Sequence, residues 1–358
     1  MTTLYVLSTE TYSGKTAVCI GLGLRMREDC CSVGYMKPVN LSAVLHAGQP
    51  YDEDVVFIKD LFGLPEPLEV LAPVQLTPQR LEALLTGGSP EEFHRRLVEA
   101  YRIVSANYQI VILEGASNLR EGYIVRLAPP QLAALGADLD AKALAVVRYE
   151  DARSVDHFLA AQARLGERLI GVVVNAVPGL HLEFAETYLR DYLESQGIPV
   201  FAVLPRQRLL QATTIGELAD GLSAEILVHA DMRDELVESL MVGAMGVDQA
   251  LHYFRRRANK AVITGGDRSD IQSAALETST KCLILTGNLH PSAAILARAE
   301  EAGVAVMLAP QDTLTAIEIA DSYFGRSRFL QRAKIEAFRK LMDERFDFQR
   351  LYNMLGVK

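Results

Sequence analysis

The stretch Ser8-Thr9-Glu10-Thr11-Tyr12-Ser13-Gly14-Lys15-Thr16 carries the densest chemistry in the chain. It follows an apolar run, Leu4 to Leu7, and opens a helical run, Ala17 to Met26. A strand feeding a loop that ends in Gly-Lys-Thr at a helix start is the setting of a phosphate-binding loop. Loop and first-turn N–H groups converge there on one point, and the helix dipole favours an anion at it. Lys15 adds a full charge for the β- and γ-phosphates, and the Thr16 hydroxyl is placed to ligate Mg²⁺. The strict pattern G-x-x-x-x-G-K-[ST] is broken at its first position, where Thr9 stands.

Three further groups fall at strand ends or helix starts. Glu114 follows the apolar run Ile110-Val111-Ile112-Leu113 and precedes Gly115. A carboxylate directly after a buried parallel strand is the position of the second acidic element in phosphate-loop enzymes, where it holds Mg²⁺ or its water. Lys37 ends the short strand Ser32 to Met36, at the edge where open parallel sheets bind ligands. Asp52-Glu53-Asp54 precedes the helical run Val55 to Phe62. Such charge is favourable at a helix N-terminus on its own account, and one carboxylate meeting Mg²⁺ is the alternative. Asn175 ends the strand Leu169 to Val174; it either reads a purine edge or serves a turn.

These residues need a scaffold of alternating strands and helices, which predicts an α/β fold with a mainly parallel sheet. Strands over Lys142–Val147, Leu169–Val174 and Pro199–Leu204 alternate with helices over Ser154–Leu165 and His181–Gln196. Near Gly221 the pattern restarts as a second, smaller α/β unit, with strands at Glu225–Val228, Lys260–Thr264, Cys282–Thr286 and Val304–Leu308. Its turns Thr264-Gly265-Gly266-Asp267-Arg268 and Thr286-Gly287-Asn288-Leu289-His290-Pro291 sit between a strand end and a helix start. There Asp267 and Arg268 hold one another or a small ligand. Residues 328–347 form a charged amphipathic tail helix suited to packing on a partner.

A length of 358 residues sets two domains as the natural count. A net charge of -9 argues against a nucleic-acid partner. Cys19, Cys30, Cys31 and Cys282 have no metal-site spacing and suit a reducing cytosol. No signal peptide and no apolar run of roughly 18 residues are read, so a cytoplasmic protein without a membrane partner is expected.

With these residues in place, residues 1–220 resemble the dethiobiotin synthetase-like, MinD-type P-loop family. The likeness rests on the loop from Ser8 to Thr16, Lys37-Pro38-Val39, Asp54, Glu114-Gly115 and Asn175. Within it, the stretch Asp52 to Leu85 is similar to the N-terminal region of long bacterial phosphate acetyltransferases. Residues 221–325 resemble the DRTGG domain, through Ile263 to Asp270 and Leu283 to Ser292, and 326–358 remain as a helical tail. The resemblance implies an ATP site formed by Thr11, Tyr12, Ser13, Gly14, Lys15, Thr16 and Ala17, with Asn175 reading adenine. It implies Mg²⁺ at Thr16, Asp54 and Glu114. It gives Lys15 and Lys37 the catalytic places, Lys37 neutralising a carboxylate or phosphoryl group of an acceptor. It also implies a homo-oligomer, a dimer or larger, and leaves Asp267 and Arg268 for a small-molecule effector.

Two departures bear on activity. Ala116-Ser117-Asn118 stands where dethiobiotin synthetases carry glycines. The acetyltransferase domain that follows the DRTGG domain in the long enzymes has no counterpart here, so acetyl transfer by this chain alone is not expected. The expected function is a cytosolic Mg-ATP-binding regulator or sensor. An ATP-dependent ligase or ATPase is the alternative, and a scaffold with a structural nucleotide a third.

Overall fold

The computed structural model describes residues 1–29, 31–41, 44–46, 49–87, 89–116, 127, 141–326 and 328–357. They form two compact units, one of residues 1–206 with 329–358 and one of residues 207–328.

The first unit is built on a six-stranded, wholly parallel sheet. Its strands are β1 (Thr2–Leu7), β2 (Val33–Met36), β3 (Ile110–Glu114), β4 (Ala141–Arg148), β5 (Leu169–Val177) and β6 (Val200–Pro205), in the spatial order β6-β5-β4-β1-β3-β2. Burial on both faces explains why the strands read as continuous apolar runs, as in Leu4, Val6 and Leu7 or Val172, Val173 and Val174. The register positions the chemistry. Val6 lies abreast of Glu114, Met36 abreast of Leu113 and Arg148 abreast of Asn175. The carboxyl ends of the central strands therefore finish together, around the loop that leaves β1. Helices α1 (Lys15–Glu28), α2 (Glu53–Phe62), α3 (Glu91–Ser105) and α4 (Val155–Leu165) supply the crossovers named below. Gly23 in α1 is required by proximity: a side chain there would meet the Phe62 ring at 2.2 Å.

The second unit has a five-stranded sheet of β7 (Glu225–Val228), β8 (Ser239–Val242), β9 (Lys260–Gly265), β10 (Thr280–Thr286) and β11 (Ala305–Leu308), ordered β7-β11-β10-β9-β8. β7 pairs antiparallel with β11 and the rest pair in parallel. The sequence reading lacked β8, the four residues Ser239-Leu240-Met241-Val242. Alternate residues of the strands enter two cores. Met241, Val262, Leu283 and Val306 face one side, and Ala261, Ile263, Ile284 and Met307 the other. Helices α5 (Ile215–Gly221), α6 (Val247–Phe254), α7 (Ser269–Leu276), α8 (Ala293–Ala302) and α9 (Thr313–Tyr323) cover those cores.

The chain then returns to the first unit as α10 (Arg332–Arg345) and α11 (Phe348–Leu355). Phe338 and Met342 press on α1 at Gly21, where an added side chain would meet both at 3.2 Å. The tail helix expected to pack on a partner is thus part of the first unit. Among the described residues no helix is long and apolar enough to cross a membrane.

Candidate functional site

The loop after β1 is held by its own polar groups. Ser8 is buried; its Oγ donates to the Glu10 carbonyl at 2.8 Å and accepts the Glu10 N–H at 3.1 Å. Tyr12 takes φ 55° and Gly14 φ 93°, so the chain turns left-handed twice before the helix. Gly14 is needed for space as well: a Cβ there would lie 2.3 Å from Asn175 Nδ2. The first turn of α1 carries no acidic residue, so its N-terminal N–H groups and Lys15 keep their positive potential. Ser13 Oγ is buried without a hydrogen-bond partner.

Glu114 meets this loop from β3. The Thr16 hydroxyl donates to Glu114 Oε1 at 2.7 Å, and the Tyr35 hydroxyl donates to Oε2 at 2.8 Å. Tyr35 is fully buried, and burial together with the Glu114 charge pushes its phenol well above the usual range. Lys37, at the end of β2, pairs with Asp52 at 2.8 Å and with Asp54 at 3.5 Å. Burial opposes its charge, but Glu114, Asp52 and Asp54 outweigh that and raise its pKa. Burial pushes the Asp54 carboxyl up to about 6, against the lowering effect of Lys37. Asp52 also caps α2, its Oδ1 accepting the N–H groups of Asp54 and Val55 at 3.0 and 3.2 Å. Of the two readings of the acidic triplet, Asp52 serves the helix N-terminus as its cap, while Asp54 faces Lys37.

Thr16, Glu114 and Asp54 are hard oxygen donors, which fits Mg²⁺. Among the described residues no cluster of three or more His, Cys, Asp or Glu side chains forms a metal cage. Mg²⁺ beside a nucleotide needs none, because phosphate oxygens and water fill most of its sphere.

Asn175 sits across the loop rather than apart from it. Its Nδ2 donates to the Ser13 carbonyl at 2.8 Å, and its Oδ1 accepts the Ala176 N–H at 2.9 Å. Two other residues that the sequence did not single out brace the loop. His157 Nδ1 lies 2.9 Å from Thr9 Oγ1, and the Arg148 N–H donates to Glu10 Oε1 at 3.0 Å. Thr11 and Tyr12 are exposed at the loop rim, and Ala17 is buried at the helix start. Ala116 is buried after β3, whereas Ser117 and Asn118 lie outside the described residues.

In the second unit Arg268 pairs with Asp270 at 3.1 Å and donates to the Met245 carbonyl at 3.1 Å. Of the two readings for Asp267 and Arg268, the mutual pair is not formed: Arg268 takes Asp270 instead, and Asp267 stays exposed. Gln272 Nε2 holds the Gly265 and Gly266 carbonyls at 3.0 Å each.

Residues 2–214 match the AAA domain family AAA_26. The chain belongs to that family. A DRTGG domain follows in this AAA-domain chain, over residues 217–323. The phosphate acetyltransferase of Synechocystis sp. is 24% identical over 310 residues, which cover 82% of this chain and 43% of that protein. The ATP-dependent dethiobiotin synthetase BioD of Caldicellulosiruptor saccharolyticus is 24% identical over 120 residues, 33% of this chain and 49% of that protein. Among solved structures, the MinD cell division protein of Aquifex aeolicus aligns with TM-score 0.35 at 14% identity, covering 58% of this chain and 83% of that one. The chain thus spans less than half the length of the phosphate acetyltransferase it matches, the enzyme type whose N-terminal region the stretch Asp52 to Leu85 resembles.

Proposed function

We propose that this chain binds Mg-ATP at the loop Ser8–Thr16 and acts as a cytosolic regulator or sensor. The contact that carries the reading is the 2.7 Å hydrogen bond between Thr16 and Glu114, at the N-terminus of α1 and next to Lys15. It brings the two groups a phosphate-bound Mg²⁺ requires to one point. Lys15 would hold the β- and γ-phosphates, Thr16 the metal directly, and Glu114 and Asp54 the metal or its water. Mg²⁺ when bound supplies charge neutralisation at the phosphates. Lys37 is kept charged by its three carboxylates, and an anionic group arriving at this edge would have to displace Asp52 and Asp54 from it. Regulation rather than turnover is favoured because Lys37 is already clamped by Asp52 and Asp54. The turns around Arg268 and Asn288 in the DRTGG domain are where a small effector would bind, and a homodimer is the expected assembly.

Calorimetric titration with ATP, with and without Mg²⁺, tests the reading. Wild type should bind in a Mg²⁺-dependent way, and Lys15→Ala should weaken that by about tenfold or more, as expected when a charge-assisted contact to phosphate is lost. A wild-type protein that takes up no nucleotide would overturn it. ATP hydrolysis well above background would instead support the ATPase or ligase alternative.

A further inference from the structure

Two arginines, Arg148 and Arg206, stand beside the loop and make no close ion pair among the described residues. Arg148 ends β4 abreast of Asn175, and Arg206 follows β6, whose Pro205 lies abreast of Val177. The Arg206 N–H donates to the Val177 carbonyl at 2.7 Å, which ties it to the end of β5. Both arginines therefore sit at the carboxyl edge of the sheet, on either side of the strand that carries Asn175. Arg148 Nε is buried and has no hydrogen-bond partner. Neither guanidinium makes an ion pair among the described residues. They are close enough that Arg206, lowered first by burial, is lowered further by the Arg148 charge.

Elsewhere in this acidic chain arginines do find carboxylates: Arg25 pairs with Asp29 and Asp343, Arg298 with Glu277, and Arg350 with Glu194. The carboxylates near the pair do not take this role. Glu10 accepts the Arg148 N–H through Oε1 and feels the Arg148 charge only from beyond ion-pair reach, and Glu150 opposes the lowering of Arg206 without pairing with it. A partly buried cation without a partner costs free energy, and two together repel. Guanidinium forks match phosphate bidentately.

We propose that Arg148 and Arg206 form an anion subsite that takes a phosphoryl group, next to the phosphate loop and distinct from it. The group belongs either to a second phosphate of the nucleotide on the loop or to a separate phosphorylated compound. Only the first source rests on the Mg-ATP reading.

The test uses the full chain with inorganic pyrophosphate, AMP and adenosine 3′,5′-bisphosphate as probes. Wild type, Arg148→Gln and Arg206→Gln are each titrated by calorimetry. Arg206 is the more exposed of the two, so its variant should fold even if Arg148→Gln does not. With a separate source, wild type saturated with Mg-ATP takes up one pyrophosphate, and Arg206→Gln weakens that tenfold or more. With a shared source, the bisphosphate binds wild type at least tenfold more tightly than AMP, and Arg206→Gln removes the difference. Wild type that ignores Mg-ATP yet binds pyrophosphate through these arginines upholds the subsite and overturns the loop reading. The subsite itself is refuted if pyrophosphate and bisphosphate bind Arg206→Gln as they bind wild type, or bind neither.

Discussion

The most exposed conflict at the residue scale is Lys260, which begins β9. It is fully buried, and its Nζ has no hydrogen-bond partner; Ser239, opposite it on β8, also has a buried hydroxyl without one. Burial pushes the Lys260 pKa down to about 8. The folded state therefore holds this proton less tightly than the unfolded chain. Below pH 8 the charged amine costs stability in full, and between pH 8 and about 10 stability should rise with pH as the folded form sheds the proton first. Lys260→Met should flatten that rise and stabilise the second unit by on the order of 1–3 kcal/mol, at roughly 1.4 kcal/mol per pKa unit. Urea unfolding of wild type and variant from pH 7 to pH 10 measures both effects. Equal slopes for the two proteins would count against the assignment. Nothing in the sequence marked Lys260, since a lysine opening an apolar strand reads as a solvated end. Gly14, Lys15 and Thr16 were legible because their chemistry is local to nine consecutive residues. The Tyr35 and His157 contacts were not, because each joins positions far apart in the chain.

At the scale of elements, what the sequence conveyed best was the alternation of strands and helices, because burial on both sheet faces writes long apolar runs. It conveyed turns poorly. Asp267 and Arg268 read as holding either one another or a small ligand, but helix α7 begins at Ser269 and brings Asp270 under the guanidinium instead. Crossing turns add a constraint that no local pattern reveals. Gly266 passes so near the β10–α8 turn that a Cβ would fall 1.8 Å from the Leu289 carbonyl oxygen. That oxygen belongs to the backbone, so relief requires the two turns to separate. Gly266→Ala should therefore destabilise the second unit by about 1–3 kcal/mol or more, the range for overpacking in a well-packed site. Thermal unfolding followed by hydrogen exchange should show the loss concentrated in β9, β10 and their turns. A variant that matches wild type would mean the turns are looser than their packing indicates.

For the whole molecule, the question is what the last thirty or so residues do. They read as an appendage because an amphipathic helix has the same apolar stripe whether it covers its own domain or a partner. Their place is fixed by contacts with residues far back in the chain. The Phe346 ring stacks on Phe201 with centroids 5.6 Å apart, the Asp347 N–H donates to the Phe201 carbonyl at 2.9 Å, and the Tyr352 hydroxyl donates to Asp29 at 2.6 Å. Arg350 pairs with Glu194 at 2.6 Å. The ion pair is bidentate but about one-third exposed, so its contribution is modest, whereas the aromatic stack is buried and should dominate. Phe346→Ala removes that stack and leaves a void against β6, for a cost of about 3–5 kcal/mol to the first unit. Because α10 presses on α1, which carries Lys15 and Thr16 at its start, the loss should be read in two ways. Chemical denaturation should give a lower midpoint for the first unit, and nucleotide titration of the variant below that midpoint should show whether α1 keeps its place. A midpoint unchanged from wild type would return the tail to the role of an appendage, free to pack elsewhere.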